Sequence, residues 1–360
     1  MLWNIYEAKL KYELLNDSLK NEISNITISS NVNIIIDLKQ IYRKIFRASV
    51  ELDSEDNNYL TLETERITSD VLSVISHYRN YFYKKGKYTK FYFIYSESIC
   101  DKLTLINSNY KKDYYEKYLI GVGNAKIDLI KRVNKALKFV INLIPNCFYT
   151  DTSQFDEFCY AKYLIDYLPQ NELKLILTND DVMLQLVNNT TYVVNLRGNA
   201  SAIVKPNVFY SKTDISEEKL ISNNLFNMIL AIAGCQKYSI KGISNVGMKR
   251  AYDMVKIILE NGIIQDSKYV VFPLTEENLT NKFQSHDSYR TLLLANLEIA
   301  ENNFDLFTCE KLYQENLIAI GNGFIENKKV VSYNTFIELN TQVFRTYPLN
   351  IDFLLKGELI

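Results

Sequence analysis

Two groups of residues have types and spacing that suit chemistry. The first is the stretch GISNVGMKRA, Gly242 to Ala251, in which a tight turn with Asn245 and Gly247 runs directly into Lys249 and Arg250 at the start of a helix. Such a turn aims backbone N–H groups outward beside a helix N-terminus, and that arrangement suits a phosphate. The second is a set of acids, Asp37, Asp156 and Asp180, each placed at or just after an apolar run that reads as a strand. Ligand sites in open α/β sheets lie at the carboxyl ends of the strands. Acids at strand-to-helix turns serve equally well as helix caps, a role that requires no ligand.

The elements that must position these residues follow from hydrophobic periodicity. An amphipathic helix is expected over residues 3 to 23. A short apolar strand, Asn33 to Ile36, ends at Asp37 and runs into a helix, followed by a polar loop, DSEDNNYLTLETE. Helical spacing covers Ser69 to Lys84, and an aromatic strand covers Lys90 to Ser98. A helix is expected to end near Pro145 and a strand to run from Cys147 to Thr150. Beyond them come the helix FDEFCYAKYLIDYL, the strand Leu173 to Thr178, the helix DDVMLQLV and the strand TYVVNL. Strands alternating with helices at this spacing predict an α/β domain built on a parallel sheet. After residue 205 the pattern turns helical, with SEEKLISNNLFNMILAIAG before the turn and AYDMVKIILENG after it.

Composition narrows the function classes. The chain has 360 residues, a net charge of −1 and 47% hydrophobic residues, so any basic surface must be local. Its two histidines, His77 and His286, leave little material for zinc sites or histidine-based triads. Five dispersed cysteines without CxxC spacing read as buried free thiols in a reducing compartment. The first fifteen residues carry charges throughout, no apolar run approaches membrane-spanning length, and a cytoplasmic location is the expectation.

Taken in order, the segments from residue 31 to 262 resemble the 5′-nuclease family, the flap endonucleases and phage 5′–3′ exonucleases of PIN-like fold. The resemblance rests on strand–Asp37–helix, FIYSES, QFDE, LKLILTNDDVMLQL and AG…GISNVGMKRA. It implies a PIN-like parallel sheet flanked by helices, a helix-hairpin-helix-type module and a mixed C-terminal region. The expected divisions are 1–30, 31–205, 206–264 and 265–360. The family hydrolyses phosphodiesters with two divalent ions held by clustered carboxylates. Here Asp37, Asp156, Glu157 and Asp180 match family acids, whereas Ser96, Gln154, Val182, Cys235 and Tyr238 stand where the family has others. The resemblance therefore implies at most one Mg²⁺ or Mn²⁺ on the four remaining acids.

The turn is better kept. Its resemblance to the family's duplex-gripping hairpin implies DNA contact through Gly242, Asn245, Gly247, Lys249 and Arg250, with K⁺ held by turn carbonyls. Lys111, Lys112 and Lys117, interleaved with Tyr110, Tyr114 and Tyr115, fit a single-strand path; a solvated helix face is the alternative. Three functions follow from these readings. One is a DNA-binding protein, with a phage-encoded origin in view, that holds branched or single-strand/duplex DNA on a degenerate nuclease scaffold. Another is an active metal-dependent 5′–3′ exonuclease or flap endonuclease. The third is a structural or assembly subunit with protein partners at the N-terminal helix and the C-terminal region, and none of the three calls for a membrane.

Overall fold

The structure is a computed structural model that describes residues 17–24, 26, 31–47, 57–96, 101–112, 123–150, 155–195, 202–204, 226–260 and 287–326. Its centre is β1, Asn31–Asp37, which pairs in parallel with β2, Tyr88–Ile94, on one side and β4, Leu173–Thr178, on the other. Outside these lie β3, Cys147–Thr150, parallel to β2, and β5, Thr191–Asn195, parallel to β4. The parallel order β5-β4-β1-β2-β3 is completed by antiparallel edges, β6 (Ala202–Val204) beside β5 and β9 (Phe324–Glu326) beside β3.

The alternation of side chains along each strand divides the interior into two layers. Val32, Ile34 and Ile36 of β1 join Leu173, Leu175 and Leu177 of β4 on one face. The helices Leu38–Arg47, Asn57–Tyr83 and Gly123–Ile141 cover that face, with Ile41, Ile67, Val71, Leu129 and Val133 buried. Ile35, Tyr92, Ile94 and Ile176 point to the opposite face, against the helices Glu157–Tyr167, Phe226–Ala233, Met248–Glu260 and Leu297–Thr308. Near-continuous apolar strands are what burial on both faces requires.

Most expected elements stand where the periodicity put them, with instructive exceptions. The stretch expected as a polar loop begins a long helix at Asn57, because Leu60, Ile67, Val71 and Val74 share one buried stripe with the segment after Ser69. DDVMLQLV forms a 3₁₀ turn, Asp181–Leu186, rather than an α-helix. The sheet edge β6 had no sequence expectation, and β9 falls in the C-terminal region expected to be mixed without a placed strand. Most of the expected N-terminal helix lies outside the described residues, which begin at Asp17.

The C-terminal residues contribute to the same interior. Asn303 Nδ2 donates to the carbonyls of Ala231 (3.0 Å) and Lys241 (2.8 Å), and Gln185 Nε2 donates to that of Phe307 (2.8 Å). Tyr313 OH donates to Asp166 at 2.9 Å.

Candidate functional site

The parallel strands end together, and their ends carry the acids. Asp37 is the last residue of β1 and is buried; Thr178, the last of β4, donates its hydroxyl to Asp37 Oδ2 at 2.8 Å. Gln40 N–H donates to the other oxygen at 3.3 Å. Asp156 caps the helix Glu157–Tyr167, accepting from Phe158 N–H at 3.0 Å, and Asp180 caps the 3₁₀ turn, accepting from Val182 N–H at 3.1 Å. The capping reading is therefore realised at Asp37, Asp156 and Asp180.

Convergence is realised as well, with cations already inside. Lys39 Nζ lies 2.6 Å from Glu157 Oε1, and Ser96 N–H donates to that same oxygen at 3.1 Å. Lys111 Nζ binds Asp156 Oδ2 directly and lies 3.5 Å from Glu157 Oε2. Lys237 Nζ is 3.3 Å from Asp180 Oδ1. Two phenols complete the shell: Tyr110 OH donates to Asp156 Oδ2 at 3.1 Å, and Tyr238 OH donates to Asp180 Oδ2. Lys111 Nζ also stands 4.5 Å from the Tyr238 ring centre, a favourable cation–π distance.

Proton affinities follow from this packing. Burial works against ionisation of Glu157, but Lys39 and Lys111 outweigh it and hold the carboxyl below its usual range. Burial likewise opposes the charge on Asp180 and is overcome by Lys237, Lys111 and the Tyr238 hydroxyl, so its pKa is lowered. Lys111 pays for its own burial through Asp156, Glu157 and Asp180, which raise its pKa well above the ordinary value. Asp37 is the exception, pushed up to about 7 by burial first and by the charges of Glu157 and Asp180. Four carboxylates face three ammonium groups, which leaves one negative charge over, and Asp37 is the acid that yields.

These residues do not fit a divalent ion as they stand. Each of Asp156, Glu157 and Asp180 has both oxygens engaged by lysine, tyrosine or backbone donors. Among the described residues no three His, Cys, Asp or Glu side chains form a group that would hold a metal. A hard cation of this kind requires several free oxygen ligands.

Lys111 was expected on a solvated single-strand path. It is instead buried at 4% exposure in the carboxylate cluster, because two partly desolvated acids compensate its charge better than water at the surface would. Lys112 next to it is exposed. Lys117, Glu97 and Gln154 lie outside the described residues. Lys39, Thr178, Lys237 and Tyr238 were missed as partners. A signal for Tyr238 was present, since the resemblance implies an acid at that position, and Lys237 is the residue before it.

The basic turn has the opposite character. The helix Phe226–Ala233 passes into a two-stranded ribbon, β7 (Gly234–Cys235) and β8 (Ile240–Lys241), bridged by the 3₁₀ turn Gln236–Tyr238 that carries Lys237 and Tyr238 to the acids. Gly234 has φ +71, and a Cβ there would overlap the backbone of Gly242. The turn then runs over Ile243 and Val246, both buried, while Ser244, Asn245, Gly247, Lys249 and Arg250 are exposed. Asn245 has φ 63, as expected of a turn residue that tolerates the left-handed region. Arg250 Nη1 donates to the Asn245 carbonyl at 2.9 Å, which ties the helix start to the turn.

The αβα sandwich with its acid-bearing sheet edge is the fold of solved 5′-nuclease structures. The T5 D15 protein co-crystallised with metal ions matches with TM-score 0.51 and 16% identity over 81% of this chain and 94% of that one. The bacteriophage T5 D15 flap endonuclease, as a pseudo-enzyme–product complex with DNA and metal ions, matches with TM-score 0.51 and 16% identity over 81% and 93%. No protein-family model and no curated protein sequence matches the chain. Among the described residues, no helix is long and apolar enough to cross a membrane.

Proposed function

We propose that the chain binds nucleic acid, DNA first, by the phosphate backbone and holds it without metal-dependent cleavage. The observation that carries this reading is the exposed turn Ser244 to Arg250, which opens the 13-residue helix Met248–Glu260 and sets Lys249 and Arg250 at its mouth. Backbone N–H groups, helix dipole and two cations act there on the same anion. Phosphate contact of this kind reads no base sequence. Gly242 supports the turn from beneath through its close approach to Ala233, and Lys112 is a further exposed cation available to the backbone.

The reading uses no resident Mg²⁺ or Mn²⁺, because the acids that would hold one are engaged by lysines. A DNA-bound flap endonuclease of the same fold supports DNA as the partner, and duplexes with a 5′ single-stranded branch are the first substrates to try. A labelled 5′-flap duplex followed by fluorescence anisotropy tests the proposal. Affinity should fall steeply as salt is raised, since phosphate contacts release counterions. The same mixture with Mg²⁺ or Mn²⁺ should leave the strand intact. Salt-independent or absent binding would overturn the DNA reading and favour a scaffold for protein contacts, whereas cleavage abolished by Asp37→Ala would restore the enzyme.

A further inference from the structure

We infer that Lys111 is a built-in substitute for a divalent cation, bolting the carboxylate edge shut in a metal-independent state. Three independent observations meet at this residue. Its ammonium binds Asp156 and reaches Glu157, bridging two adjacent acids as an ion would. Its backbone adopts φ 54, uncommon for a lysine, and its N–H donates to the Tyr238 carbonyl at 2.7 Å. Tyr110 beside it donates to Asp156, and its ring meets the Tyr238 ring edge-on at 5.7 Å. The segment Asn107–Lys112 is thereby tied across the strand ends to the Gln236–Tyr238 turn.

The charge balance explains why the substitution is stable. Buried carboxylates that face one another repel and must be neutralised by protons, metals or organic cations. Lys39 and Lys237 approach the acids from the rim, with side chains 11% and 17% exposed. Lys111, 5% exposed, reaches both Asp156 and Glu157 from the centre. Removing its ammonium should uncover Glu157 Oε2, leave Asp156 Oδ2 to the Tyr110 hydroxyl alone and open a cavity beside both acids, which is the chemistry of a hard-cation site. The inference concerns the carboxylates alone and stands or falls independently of nucleic-acid binding.

The test uses the full chain with Mn²⁺, counted by the electron paramagnetic resonance of the free ion, and with melting temperature as a second readout. The wild type should bind no Mn²⁺ at millimolar concentration and melt at the same temperature with Mn²⁺ or EDTA. Lys111→Met should melt lower, bind about one Mn²⁺ per chain and regain part of its melting temperature when Mn²⁺ is added. Adding Asp156→Asn to that variant should remove the Mn²⁺ response. Stoichiometric Mn²⁺ binding by the wild type would overturn the inference, and so would a folded Lys111→Met that gains no response. Should Lys111→Met fail to fold, the wild-type ion count still decides.

Discussion

The strand ends and the basic turn treat charge in opposite ways. At the strand ends, Asp156, Glu157 and Asp180 are buried and each is matched by a lysine. At the turn, Lys249 and Arg250 are exposed and stand beside the unpaired N–H groups that any helix start provides. Residues 234 to 250 join the two, since Lys237 and Tyr238 serve the acids and the next turn faces outward. The contrast teaches that burial forces charge compensation wherever acids are taken out of water. An exposed turn carries no such obligation, and its charge is available to a partner.

Breaking the buried side should have the largest effect. Lys111→Met leaves Asp156 and Glu157 buried without their central cation, at a cost of about 3–5 kcal/mol in urea unfolding. Next is the exposed side: reversing both Lys249 and Arg250 to Glu should weaken 5′-flap DNA binding by about 100-fold and flatten its salt dependence. The melting temperature should stay nearly unchanged, which separates a binding surface from a structural one.

The pH response sharpens the comparison further. An acid whose folded pKa is raised to about 7 binds a proton in the native state that the unfolded chain has already released. Asp37 therefore costs nothing below its unfolded value near 3.8, and stability falls as pH rises from there through about 7. Glu157 and Asp180 have depressed values and act the other way, giving stability above the usual carboxylate range that is lost on acidification. Asp37→Asn should flatten the decline between about pH 4 and 7 and stabilise the protein at pH 8, measured by urea denaturation at each pH. If the slope survives in this variant, another group carries the leftover charge. The smallest effect is expected at Asn245, where Ala should cost about 1 kcal/mol for its positive φ and Gly should be nearly neutral.

How much of this was legible differs between the two regions. The turn was read from local sequence, because its geometry is set by Asn245, Gly247 and the helix start, all within a few residues. The exact span of β4 and the acids at the strand ends were equally legible, since apolar runs followed by a polar residue mark a buried parallel strand and its exit. The helix start at Asn57 was not, because polar residues on the outer face hid a buried stripe. Nor were the edges β6 and β9 legible, as three-residue strands gain their identity from the neighbour they pair with.

The sequence by itself determined the layered α/β plan and the placing of Asp37, Asp156 and Asp180 at one sheet edge. Only the tertiary structure decided which cations meet those acids. Lys39, Lys111 and Lys237 come from three separate segments, and nothing in their local sequence distinguishes them from surface lysines. They are drawn to the acids because a charge taken out of water must find its opposite nearby, and which opposite lies nearby is a property of the folded chain.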